Sequence, residues 1–147
     1  MRTRGLFVLL AAVLGALAFA GTERAAPAST GPTITVRSSA YGRVLFDGSG
    51  RALYAFTHDP RGQATCYGTC ARRWPPYLVK GSLRAGAGTS RALLGTTRRR
   101  DGSRQLTYRD RPLYFYVGDS RGEIRCQNVR EFGGLWLVVR ASGRLVR

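Results

Sequence analysis

The chain has 147 residues, with 24 lysines and arginines against 8 aspartates and glutamates, a formal net charge of +16 and one histidine. That length is one ordinary domain, large enough to bury a core without cofactor or metal support. Such a charge attracts anionic polymers over a screening length of about 8–10 Å in physiological salt.

The chain opens Met1-Arg-Thr-Arg and continues with an apolar run from Leu6 to Ala20. A basic start, an apolar stretch and the small residues Ala18-Phe19-Ala20 match an export signal over residues 1–20. The run is shorter than the ~20 apolar residues of a spanning helix, so the mature chain is expected to carry no transmembrane span. No cysteine follows the cleavage point to carry a lipid, which predicts a secreted or envelope-associated protein. Losing Arg2 and Arg4 lowers the net charge by two, to +14. An anionic envelope polymer or lipid surface is one implied partner, with no specific nucleic acid. The arginines are scattered along the chain, however, so a basic surface with no partner stays open.

Residues 21–32 are small, polar and proline-bearing and read as a flexible linker. From 33 to 147 the chain reads as one β-domain. Thr33 to Arg37 alternates as a first strand; Arg43 to Phe46 and Ala52 to Thr57 follow, joined by the turn Asp47-Gly-Ser-Gly50. Cys66 to Trp74 can form one short helix, stopped by Pro75-Pro76, and Tyr77 to Val79 a short strand. After a Gly/Ala/Ser loop, Leu93 to Arg99, Gln105 to Tyr108 and Pro112 to Val117 are strands, the last two joined at Arg109-Asp110. Leu135 to Arg140 is the last strong strand.

One stretch occurs twice. Arg51 to Cys66 (RALYAFTHDPRGQATC) and Arg111 to Cys126 (RPLYFYVGDSRGEIRC) share Arg51/Arg111, Leu53/Leu113, Tyr54/Tyr114, Asp59/Asp119, Arg61/Arg121, Gly62/Gly122 and Cys66/Cys126. Phe56/Tyr116 keeps an aromatic ring. The fold class expected is therefore mainly β: a small single domain of two pseudo-repeated antiparallel units, about 43–79 and 104–140, with one short helix. Asp59-Pro-Arg-Gly62 and Asp119-Ser-Arg-Gly122 read as type I turns, with each aspartate bonded to backbone amides of its own turn.

Tyr54, Phe56, Tyr114 and Tyr116 fall on one strand face in each copy. They read as core; the alternative is a groove for sugars or bases, with Trp74 and Trp136 as further groove aromatics. Asp59 and Asp119 could be paired carboxylates for proton transfer, but turn capping explains them without chemistry. Ser120 aligns with Pro60 and sits in no nucleophile elbow, so no catalytic residue is assigned. Export makes a Cys66–Cys70 disulfide the favoured pairing and leaves Cys126 as a free thiol able to join a second copy. Pairings of either cysteine with Cys126 stay open. A Cys66, Cys70, Cys126 and His58 metal site, or thiol-redox chemistry, is the alternative function class; no cofactor is expected.

The ordered motifs GRALYAFTHD, TCYGTCARRWPP, RQLTYRDRPLYFYVGD and GGLWLVV resemble the bacterial "secreted repeat of unknown function" family, whose members are described as predicted lipoproteins with a Tyr-x-aromatic-x-x-Asp motif. The resemblance covers about Gly42 to Val139. It implies an exported, envelope-associated β-domain of two repeats and no established activity. Relatives often carry a lipidated cysteine that this chain lacks, and Cys126 is an addition to the family pattern. The reading is an exported, non-catalytic binding or structural module that meets anionic surface polymers.

Overall fold

The computed structural model describes residues 33–147. The export signal at 1–20 and the linker at 21–32 lie outside the described residues. Strands β1 (Ile34–Ser39) and β2 (Gly42–Asp47) form a two-stranded antiparallel sheet. A six-stranded antiparallel sheet has the order β4 (Leu94–Arg98), β5 (Arg104–Tyr108), β6 (Arg111–Tyr114), β3 (Tyr54–Phe56), β8 (Gly134–Val138), β7 (Val129–Glu131). One helix, α1 (Thr69–Arg73), and a 3-10 turn at Arg91–Leu93 complete the fold. No helix among the described residues is long and apolar enough to cross a membrane.

The domain is mainly β, built of two repeated units, as the repeat implies. The tight turn between β5 and β6 holds Arg109 and Asp110 at φ of 50° and 60°, the left-handed geometry that closes a two-residue hairpin. Two elements differ from the expectations. Tyr77 to Val79 makes only one isolated bridge, Leu78 to Gln105, because the segment crosses from β6 to β5, its Tyr77 amide bonding the Leu113 carbonyl and its Val79 amide the Arg104 carbonyl. Strand β7 was not foreseen; it is short, half-exposed and carries no strong alternation.

The two copies meet at the centre of the sheet. Strands β3 and β6 pair antiparallel with Tyr54 opposite Tyr114, its own repeat mate. Equivalent residues facing each other across an antiparallel pair define a local twofold axis between the copies. Strand β3 is buried on both faces. Tyr54 and Phe56 enter one apolar cluster with Trp74, Tyr114 and Trp136. Leu53 and Ala55 enter a second with Ile34, Leu106, Leu113 and Val139. The β1–β2 hairpin contributes to both, through Phe46 on one side and Leu45 on the other.

Candidate functional site

The repeated residues turn out to tie one copy to the other. Tyr54 donates its hydroxyl proton to Asp119 Oδ2 at 2.6 Å, and Tyr114 donates to Asp59 Oδ2 at 2.7 Å. The remaining oxygen of each carboxylate closes its own loop, Asp59 Oδ1 accepting from the Thr65 amide at 2.8 Å and Asp119 Oδ1 from the Arg125 amide at 2.9 Å. The amides of Gly62 and Gly122 dock in the same crossed manner, on the carbonyls of Asp110 and Gly50 that precede the other copy's arginine.

The turns themselves lie one residue later than expected. Gln63 N–H bonds Pro60 C=O and Glu123 N–H bonds Ser120 C=O. This places Gly62 and Gly122 third in the turn at φ of 71° and 80°, a type II requirement that a side chain would strain. The aspartates therefore cap loops of six residues instead of their own tight turns.

The aromatic face is core, and the groove alternative is corrected here. Trp74 and Trp136 are both 0% exposed and stack on each other at 4.1 Å between centroids and 4° between planes. Phe56 extends the stack on Trp136 at 4.2 Å, and Tyr116 lies against Trp74 at 4.9 Å. Tyr54 meets Trp74 edge-on and Tyr114 meets Trp136 edge-on, each at 5.2 Å. Covering β3 and β6 on both sides leaves Tyr54, Phe56, Trp74, Tyr114 and Trp136 buried, whereas Tyr116, just past β6, is half-buried. Gly134 is part of that closure, because a Cβ there would come within 2.7 Å of the Phe56 ring.

Burial is also the first cause of the shifted ionisations in the crossed Tyr–Asp pairs. It raises the Asp59 and Asp119 carboxyls above the usual range, against the lowering effect of their tyrosine and backbone donors. The Tyr54 and Tyr114 hydroxyls are pushed far up, first by burial and then by their aspartate partners. Each oxygen of both carboxylates thus accepts a hydrogen bond from the scaffold.

Cys66 and Cys70 are bridged, with Cα atoms 5.3 Å apart. This uses two members of the His58, Cys66, Cys70, Cys126 ligand set, so that metal site is not assembled. Among the described residues no group of three His, Cys, Asp or Glu side chains converges on a metal position. His58 is exposed and leans on Phe56 at 5.7 Å. Cys126 is free and half-buried against the aromatic cluster. Its side chain, beside the Tyr116 hydroxyl, is the first cause that raises that group's pKa. Denatured, unreduced protein is expected to titrate one thiol per chain by a chromogenic disulfide reagent, and three after reduction. Three before reduction would mean the bridge is unformed. Its loss on reduction should lower stability by about 2 kcal/mol, the closure entropy of so short a loop.

The arginines separate into two groups. Arg99 is 5% exposed and held by Gln105 Oε1 at 2.6 Å and the Cys66 carbonyl at 2.8 Å. Arg73 and Arg125 form ion pairs with Glu131 and Glu123, and Arg51 lies over the Phe115 ring at 4.3 Å. These have structural work. Arg111, Arg140, Arg144 and Arg147 do not: with Ser142 and Leu145 they line an open cavity of about 580 Å³ with no aspartate or glutamate side chain in its wall.

A terminal hairpin builds this cavity. Val139 bridges Leu145, the Arg140 and Arg144 backbones bond at 2.8 Å, and Gly143 turns the chain at φ 78°. Ser142-Gly143 between apolar residues was the sequence signal for it, and the expectations above passed it by. Arg111 enters from β6. Its Nε is buried without a hydrogen-bond partner. Burial first, then the guanidiniums of Arg61, Arg109 and Arg147, hold its pKa below the usual arginine range. Like charges gathered around a partnerless buried donor form a site complementary to an anion.

A scan against known protein families matches the description "secreted repeat of unknown function" twice, at residues 35–77 and 95–140. Each match begins one strand earlier than the repeat read from its shared motif, because β1 and β4 correspond in place while keeping little identity. Comparison with curated proteins finds no match, and neither does comparison with solved structures. The two family matches span more than half of the chain and coincide with the two halves related by the local twofold, so the protein belongs to the family of secreted repeats of unknown function.

Proposed function

We propose that this exported domain is a non-catalytic binding module of the cell envelope that holds anionic surface polymers. The observation that supports it most is the cavity walled by Arg111, Arg140, Arg144 and Arg147 with no acidic residue among them. Most of the other groups that could have carried function are committed to the scaffold. The tyrosines, tryptophans and paired aspartates bind each other, and Cys66 is joined to Cys70. The basic and then apolar opening of the chain supports export to where such polymers lie.

Several guanidiniums on one short stretch act by neutralising neighbouring charges of a polyanion and releasing its counterions. With four such contacts, affinity for heparin or a glycerol-phosphate polymer should fall about a hundredfold between about 50 and about 200 mM salt. A triple change of exposed cavity residues, Arg140→Ser with Arg144→Ser and Arg147→Ser, should flatten that salt dependence and weaken binding at least about tenfold. Polymer affinity that ignores salt, or that survives the triple change, would exclude this reading.

A further inference from the structure

We propose that the cavity beside Arg111 is a phosphate site, taking the phosphate groups of an anionic polymer with Arg111 as its anchor. This rests on the polymer-binding reading above and names its ligand class.

The argument begins with a difference between the two copies. Arg51 and Arg111 occupy the same place in the repeat. Arg51 is satisfied: its guanidinium covers the Phe115 ring at 4.3 Å and Nη2 donates to the Tyr116 carbonyl at 3.3 Å. The repeat mate of Phe115 is Ala55, which has no ring. Arg111 accordingly lacks the platform its twin enjoys, and its Nε stays buried and partnerless. The Nε is shielded from solvent, so what meets a ligand is the rest of the fork: the Arg111 guanidinium lines the open cavity with no protein acceptor engaged, which fits a side chain whose partner is a ligand.

Geometry selects the anion. One guanidinium fork occupies a lone pair on each oxygen of a carboxylate, and the sites that remain lie in the same plane. Here Arg111 comes from β6, and Arg140, Arg144 and Arg147 from the hairpin that follows β8. A tetrahedral phosphate offers oxygens in several directions and can accept from several forks at once. The 580 Å³ of space exceeds one phosphate group, leaving room for the esterified units on either side of it. Ser142, in the same wall, adds a hydroxyl donor or acceptor suited to such a unit.

Calorimetric titration of the purified protein with inorganic phosphate, acetate, a glycerol-phosphate polymer and phosphatidylglycerol vesicles tests this. Phosphate should bind at least about tenfold more tightly than acetate, and the polymer more tightly than either. Arg111→Ala should cost about ten- to a hundredfold in phosphate affinity. Arg111→Lys keeps the charge but not the fork, so it should also lose about tenfold. Arg130→Ala, on exposed β7, should change nothing. If Arg111→Ala fails to fold, the lysine variant and the exposed pair Arg144→Gln with Arg147→Gln carry the test, each expected to weaken phosphate binding. Equal binding of acetate and phosphate, or an Arg111→Lys protein that binds phosphate like the parent, would overturn the phosphate site while salt-dependent polymer binding stood. Binding to vesicles with none to the polymer would overturn the polymer as the source of the phosphate.

Discussion

Trp136→Ala is expected to lower the unfolding free energy by about 3–5 kcal/mol, the range for removing a large buried ring, and to move the urea midpoint down by about 2 M. Trp136 stacks between Phe56 and Trp74 and receives the Tyr114 edge, so its loss opens a void shared by both copies. A domain of ordinary stability, about 5–15 kcal/mol, would be left near its threshold. Trp74 gives a useful contrast. Its indole N–H donates to Glu131 Oε2 at 2.8 Å, whereas the indole N–H of Trp136 is buried with no partner. Phenylalanine at 136 therefore forfeits only ring area, while phenylalanine at 74 forfeits area and a hydrogen bond to a carboxylate. Chemical denaturation should rank Trp136→Ala as most damaging, Trp74→Phe next and Trp136→Phe least. A stability loss for Trp136→Ala under about 1 kcal/mol would show that the stack is not a central contributor.

Alkali should destabilise the protein steeply above pH ~10. The Tyr54 and Tyr114 hydroxyls are raised in the folded state by burial and then by the adjacent Asp119 and Asp59. A raised folded pKa gives a contribution that is complete below the unfolded value and is lost as pH climbs past it. Each tyrosine then costs about 1.4 kcal/mol per pH unit, so the pair costs about 2.7 per unit. Both side chains are fully buried, so solvent screening does not soften the effect. Tyr77, pushed up to about 12 by burial and then by Asp47, adds to the slope below that pH. Urea midpoints at successive pH values, read beside tyrosinate absorbance, check the slope; Tyr54→Phe with Tyr114→Phe should remove most of it. An unchanged slope in that double variant would place the alkaline lability elsewhere. The sign for Asp59 and Asp119 is the same, since burial raises both. Their contribution is complete below the usual carboxylate pKa and lost as pH rises, so these two groups give no acid lability.

Much of the scaffold was legible in the residues. The sixty-residue offset between Tyr54 and Tyr114, the turn glycines at 62 and 122, the alternation in Thr33–Arg37 and the apolar run that opens Leu135–Arg140 mark a duplicated antiparallel β-domain. Cys66 and Cys70 are close enough in sequence that local geometry alone favours their bridge over one to Cys126. These are local properties: strand period, turn conformation and short loops depend on neighbours along the chain.

Only the tertiary structure decided how the two copies use the shared motif. Period two says that Tyr54, Phe56, Tyr114 and Tyr116 share faces, but it does not say what covers those faces. Pairing β3 with β6, which lie sixty residues apart, turned the matched Tyr and Asp positions into crossed hydrogen bonds and closed the face the sequence left open to either reading. The arginine cavity was hidden for the same reason. Arg111 and the hairpin from Arg140 to Arg147 meet only when β8 lies beside β3, and a charge distributed along the chain carries no record of which guanidiniums will converge.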